Sequence, residues 1–203
     1  MTGQPIIRLE KATKTYGGIA ALAEADFDLR PGEIHALVGE NGAGKSTLCK
    51  LIAGVIEPSE GLLKVDGEAV TLANPKDATR RGISMVYQET SLVPQLTVAQ
   101  NMVLGRERAF NSVRKVRSAA RQVLQRLNFK VDPSALAGSL STAKRQMVEI
   151  ARAVLNDARV IILDEPTAAL TPEETDHLFD LMRSLRANGV AMIFISHALE
   201  EAL

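Results

Sequence analysis

The amino-acid sequence predicts an α/β fold built on a mostly parallel core sheet. An apolar strand at 34–39, IHALVG, runs into a glycine-rich turn and then into an amphipathic helix. A second apolar run, VIIL at 160–163, is β-branched and uninterrupted. A strand buried on both faces of a parallel sheet reads that way. Strands and helices alternate along much of the remaining chain, as layered α/β proteins do.

The elements follow in order. Residues 6–9, 25–29 and 62–65 read as short strands, punctuated by Gly17 and Gly18, Pro31 and Gly32, and Asp66 and Gly67. GISMVYQ at 82–88 is another strand. From about 97 to 154 the pattern turns helical and more charged. Within it lies LSTAKRQMVEIARAV at 140–154, where Met147, Ile150, Ala151 and Val154 recur at the spacing of one buried helix face. Ser141 is a good N-cap. Small Thr142 and Ala143 follow, then basic Lys144 and Arg145. Open N–H groups with adjacent positive charge make an anion site. Residues 172–187 form a helix with Leu178, Leu181, Met182 and Leu185 on one face; Gly189 ends it, and 190–195 is a last buried strand.

Composition narrows the function classes. The formal net charge is zero, so no basic footprint for nucleic acid is present. Aromatics make up 3% of the 203 residues, too few for a base-stacking platform. The single cysteine, Cys49, excludes a disulfide framework and a cysteine zinc site, and reads as a small core residue. No apolar run approaches the ~20 residues needed to span a bilayer. The N-terminal MTGQPIIRLE lacks the apolar segment of a signal peptide. The chain therefore reads as cytoplasmic, with any membrane role supplied by another chain.

Two motifs carry chemistry. GENGAGKST at 39–47 fits G-x-x-x-x-G-K-S/T through Gly39, Gly44, Lys45 and Ser46. Gly42 and Gly44 remove Cβ atoms so that backbone can wrap a phosphate chain. The N–H groups from Gly42 through Ala43 to Thr47 form a nest at a helix N-terminus. Lys45 reaches the β- and γ-phosphates, and the Ser46 hydroxyl ligates Mg²⁺. The second motif is the acid pair Asp164 and Glu165 at the end of the buried VIIL strand. Adjacent acids there have little reason to exist for stability. Beside a phosphate loop they divide into a Mg²⁺ carboxylate, Asp164, and a general base for water, Glu165.

In order, the motifs GENGAGKST, VYQE with Gln88, LSTAKRQ, VIILDEP, AALT and ISH with His197 span nearly the whole chain. That series resembles the ATP-binding subunit of ABC transporters. The stretches VYQETSLVPQLTVAQNMVLGRE and EPTAALTPEE are similar to the simple-sugar importers, whose ATPase subunit carries two such domains in tandem; this chain resembles the first. The resemblance implies a P-loop NTPase with an N-terminal antiparallel β subdomain and a helical insert. The core would comprise about 1–88 and 155–203, and the helical part about 89–154. It implies ATP and Mg²⁺ as ligands. Tyr16 would stack on adenine, and Asn41 would join the phosphate loop. Gln88 would sense Mg²⁺ and the attacking water, and His197 would contact the γ-phosphate. Ser141 would cap the ATP held by a second ABC ATPase domain, so that hydrolysis requires a tandem pair or homodimer.

Other partners follow from the same resemblance. They are integral membrane permease subunits, reached through the segment from about 89 to 106, and indirectly a periplasmic or extracellular sugar-binding protein. Nucleic acid is not among them. The chain would lie on the inner face of the plasma membrane and act as an ATP hydrolase coupled to transport. Four positions depart from the family pattern, beginning with Thr142, Ala143 and Lys144, which replace Gly, Gly and Gln. Ala168, Ala169 and Leu170 are followed by Thr171 where the family has Asp. His35 and His177 match no motif and read as structural or surface residues. The chain ends in ISHALEEAL, a helix face without a closing signal, as a C-terminally incomplete domain would. Two alternatives stay open: a soluble ABC ATPase acting on nucleic acid or ribosomes, and a nucleotide-binding fragment that cannot hydrolyse.

Overall fold

The computed structural model describes residues 4–87, 91–105, 112–168 and 170–196. Two four-stranded sheets organise them. The first is antiparallel, in the order β2-β1-β4-β5, from β1 (Ile7–Tyr16), β2 (Ile19–Leu29), β4 (Glu60–Val65) and β5 (Glu68–Val70). The second is parallel, in the order β3-β8-β7-β6, from β3 (Ile34–Val38), β6 (Ile83–Val86), β7 (Val160–Asp164) and β8 (Ala191–Ser196). Parallel neighbours need crossover connections. Helices α1 (Lys45–Ile52), α2 (Pro75–Arg80), α3 (Val98–Val103), α4 (Val113–Arg126), α5 (Thr142–Leu155) and α6 (Pro172–Ala187) lie in those crossovers.

Alternation along the parallel strands builds two cores. In β7, Val160 and Ile162 face one cluster, Ile161 and Leu163 the other; in β8, Ala191, Ile193 and Ile195 oppose Met192 and Phe194. Successive side chains on a strand point to opposite faces, so an unbroken apolar run is needed to fill both. The first face packs on α1 through Leu48, Cys49, Leu51 and Ile52, and on the antiparallel sheet through Ile7, Leu9 and Leu63. The other packs on α5 and α6, with Leu178, Leu181, Met182 and Leu185 buried. Each such side chain contributes about 1.5–3 kcal/mol by leaving water.

The sequence-predicted strands 6–9 and 25–29 extend toward each other into one long hairpin that turns at Gly17 and Gly18, both with positive φ. The short β5 and α2 were not anticipated, although α2 carries an Asn74 cap that accepts from the Lys76 and Asp77 amides, with proline in its first turn. The helix over 172–187 starts and ends where its sequence pattern does, because Thr171 and Glu174 close a reciprocal capping box. Among the described residues no helix is long and apolar enough to cross a membrane.

Candidate functional site

The phosphate loop joins the C-terminal end of β3 to α1. Gly39, Gly42 and Gly44 have φ of 157°, 86° and 85°, conformations that side chains with a Cβ rarely adopt. The two inner glycines differ in their reasons. A Cβ on Gly42 would meet nothing within 4 Å, whereas one on Gly44 would stand 3.0 Å from Leu22 Cδ1 and 3.1 Å from the Ala21 carbonyl. Gly42 thus leaves the loop open to solvent, and Gly44 lets the loop rest on β2. No side chain caps α1 at Gly44, so its first-turn amides point outward as an anion nest. Lys45 donates from Nζ to the carbonyls of Gly39 at 2.6 Å and Glu40 at 2.9 Å, which folds its ammonium back over the loop. Asn41, Ala43 and Ser46 are exposed and Thr47 is half-buried.

The parallel register lines up the ends of the neighbouring strands beside this loop. Val38 pairs with Ser196, Asp164 with Ile195, and Val86 with Leu163. The C-terminal ends of four strands therefore open on one edge, where open α/β sheets take their ligands. Asp164 closes β7 and is half-buried. Its charge reaches Cys49 on α1: burial pushes that thiol pKa up, and Asp164 pushes it further. Cys49 lies on the helix that begins with Lys45 and Ser46. One carboxylate and one hydroxyl suit Mg²⁺, which completes its shell with phosphate and water oxygens. Among the described residues no cluster of three histidine, cysteine or acidic side chains competes as a metal site.

Glu165 follows with φ of 47°, the left-handed region, while its N–H donates to Ile195 at 3.2 Å. A non-glycine residue held there at the end of a core strand stores strain of the kind found at active sites. Tyr16 ends β1 at the hairpin turn, 52% exposed, with Lys14 Nζ 5.4 Å from its ring centroid. Its hairpin is the one whose Ala21 and Leu22 support Gly44.

Ser141 caps α5 by accepting from the Lys144 amide at 3.4 Å, and it is exposed. Arg145 turns back to donate to the Leu140 carbonyl at 3.0 Å, so its charge sits at the cap. The helix cap expected at Ser141 is present. Thr171 has a local reason, as the cap of α6. His35 stands 3.0 Å from Glu33 and edge-on to Phe27, and His177 lies against Phe129; both serve packing. Gln88, His197 and Ala169 lie outside the described residues.

A groove of about 970 Å³ runs between the α2–β6 side and α5, lined by Arg80, Arg81, Tyr87, Gly105, Glu149 and Arg152 among others. It is separate from the phosphate loop. Glu149 escaped the sequence reading; the only signal was an acid between buried Val148 and Ile150 on α5. Tyr87, next to Gln88 in the sequence, has its pKa raised, first by burial and then by the charges of Glu149 and Asp164.

The family model for ABC transporters matches residues 22–168. The chain is 49% identical over 201 residues to ribose import ATP-binding protein RbsA 1 of Rubrobacter xylanophilus, covering 98% of this chain and 40% of that protein. It is 47% identical over 200 residues to ribose import ATP-binding protein RbsA 2 of Burkholderia cenocepacia, covering 97% and 40%. The chain thus spans about two-fifths of the length of these curated relatives. Among solved structures, a nucleotide-free ATP-binding cassette from an ABC transporter superposes with a TM-score of 0.86 at 25% identity, over 98% of this chain and 84% of that one. A dimeric bacterial ABC transporter cassette superposes with a TM-score of 0.83 at 27% identity, over 97% and 90%. The chain shares the fold of these cassettes, and it belongs to the ABC transporter family.

Proposed function

We propose that the chain binds and hydrolyses ATP to power an importer of a simple sugar. The observation that carries this reading is the convergence of the Lys45 loop, Asp164 and Glu165 on one edge of the parallel sheet. The sugar rests on the likeness to ribose import ATP-binding proteins. In this reading Gly39, Asn41, Gly42, Ala43, Gly44 and Thr47 cradle the phosphates and Tyr16 stacks on adenine. Lys45 holds the β- and γ-phosphates, and Ser46, Asp164 and Gln88 hold Mg²⁺. Bound there, Mg²⁺ would offset the negative charge on the β- and γ-oxygens. Glu165 accepts a proton from water as its oxygen attacks the γ-phosphorus. The bond to the bridging oxygen breaks, and ADP and phosphate leave. His197 steadies the γ-phosphate.

The phosphate loop is open to solvent from Gly39 to Ala43, so a second surface is needed to exclude water. Ser141 of a second such domain, in tandem or as a homodimer, supplies it. Core residues of about 1–88 and 155–203 and helical residues of about 89–154 would then move against each other. Permease subunits would engage the segment from about 89 to 106, beside the groove, on the cytoplasmic face of the membrane. A sugar-binding protein on the far side would deliver the substrate.

The deciding experiment is Glu165→Gln in the assembled pair. Nucleotide binding should persist while steady-state hydrolysis falls by about 10²- to 10⁴-fold, the usual worth of a general base. Undiminished turnover would remove Glu165 from its role.

A further inference from the structure

Glu149 is a charged side chain with 0% exposure, set in α5 between apolar neighbours. Its Oε1 accepts a short hydrogen bond from the Ser91 backbone N–H and another from the Ser91 hydroxyl at 2.9 Å. Arg152, one turn further along α5, donates to Ser91 Oγ at 2.7 Å and stands 3.6 Å from the same Oε1. Oε2 is buried and has no hydrogen-bond partner among the described residues.

Stability alone accounts poorly for this arrangement. A buried carboxylate costs several kcal/mol of hydration, and apolar side chains of similar volume often do better at holding two elements together. A grip on a backbone amide does something apolar packing does not: it fixes one chain position against the helix. That position, Ser91, comes three residues after Gln88 in the sequence. The helix gripped is the one capped by Ser141, about 12 Å away along its axis at 1.5 Å per residue. A helix of that length is stiff, so a displacement at its cap is felt at Glu149.

We propose that Glu149 is a positioning residue for ATP hydrolysis: by clamping Ser91 to α5 it ties the chain beside Gln88 to the Ser141 cap, so that engagement of one nucleotide adjusts the other site. The proposal rests on the ATPase reading above. Arg152 orients the Ser91 hydroxyl within the clamp, and neither Glu149 nor Arg152 touches the nucleotide.

The test uses the full chain in its assembled pair, with steady-state ATP turnover, binding of a fluorescent ATP analogue and thermal melting. Glu149→Ala should lower kcat by about 10- to 100-fold, the cost of misplacing a site by about 1 Å. KM and analogue affinity should stay within about twofold, and Glu149→Gln, which keeps an acceptor for Ser91, should recover part of the loss. If Glu149→Ala does not fold, Glu149→Gln and Ser91→Ala carry the test: acting through one clamp, their effects on kcat should be non-additive. An unchanged kcat, a rise in KM alone, or strictly additive effects would overturn the clamp. If the unaltered pair neither bound nor hydrolysed ATP, the ATPase reading itself would fall, an outcome distinct from any of these.

Discussion

Lys45 donates its ammonium protons to the carbonyl of Gly39, six residues earlier, at 2.6 Å, and so spans its own loop from end to end. A triphosphate entering the loop would replace neutral carbonyl acceptors with charged oxygens, and charge-assisted bonds are roughly twice as strong. Lys45→Ala should weaken ATP binding by about 10- to 100-fold, the loss of one hydrogen bond to a charged group. Titration with a fluorescent nucleotide reads this directly, and an unchanged affinity would place the triphosphate elsewhere.

Gly44 and Gly42 separate two costs that usually travel together. Both have φ near 85°, so alanine at either position pays about 1–2 kcal/mol for the left-handed backbone. Only at Gly44 does the new methyl also press on Leu22 and the Ala21 carbonyl, at 3.0 and 3.1 Å. Gly44→Ala should therefore lower the urea-unfolding free energy by more than Gly42→Ala, by about 1–3 kcal/mol of overpacking. Equal losses would show that β2 yields freely.

What was legible in the sequence was local. The glycine spacing of 39–47, the unbroken VIIL strand and the cap at Ser141 each act within a few residues. The hidden relationships join distant positions. Glu149 meets Ser91 across 58 residues, and Arg159 meets Asp66 across 93. No periodicity announces such pairs, because they are set by how finished elements pack. Departures from a family pattern are equally silent until their neighbours are seen: Thr171 fills a capping box.

Asn101 makes its hydrogen bonds closer by, to residues four to eight positions earlier. It is fully buried on α3, and its side chain accepts from the Val93 amide at 2.7 Å while donating to the carbonyls of Val93, Leu96 and Thr97. One amide thus satisfies the backbone of the turn ahead of the helix. The three carbonyls each keep a backbone donor, so Asn101→Ala would strip the Val93 N–H of its acceptor and should cost about 1–3 kcal/mol in a urea titration. Asn101→Asp keeps the acceptor and removes the donors, so it should destabilise as well. A neutral result for both would mean that water enters and takes their place.

The pair Arg159–Asp66 fastens the start of the β7 strand to the β4–β5 turn through two hydrogen bonds, at 3.1 and 2.7 Å. Hydrogen bonding from Arg159 lowers the Asp66 pKa, and burial only partly opposes it. A carboxylate whose folded-state pKa is depressed adds stability that is present above its unfolded value of about 3.9. That stability is lost as pH falls through the folded value, because protonation then becomes equally favourable in both states. Both side chains are about half exposed, at 49% and 53%, so solvent screening holds the contribution below about 1 kcal/mol. Asp66→Asn is the suitable variant, since asparagine tolerates the positive φ of 52° found at this position. The unaltered protein should be more stable than the variant in urea at neutral pH, by less than about 1 kcal/mol, and the difference should close as pH drops below about 3.9. A gap that stays constant into acid would mean that Arg159 contributes through packing of its side-chain stem and not through charge.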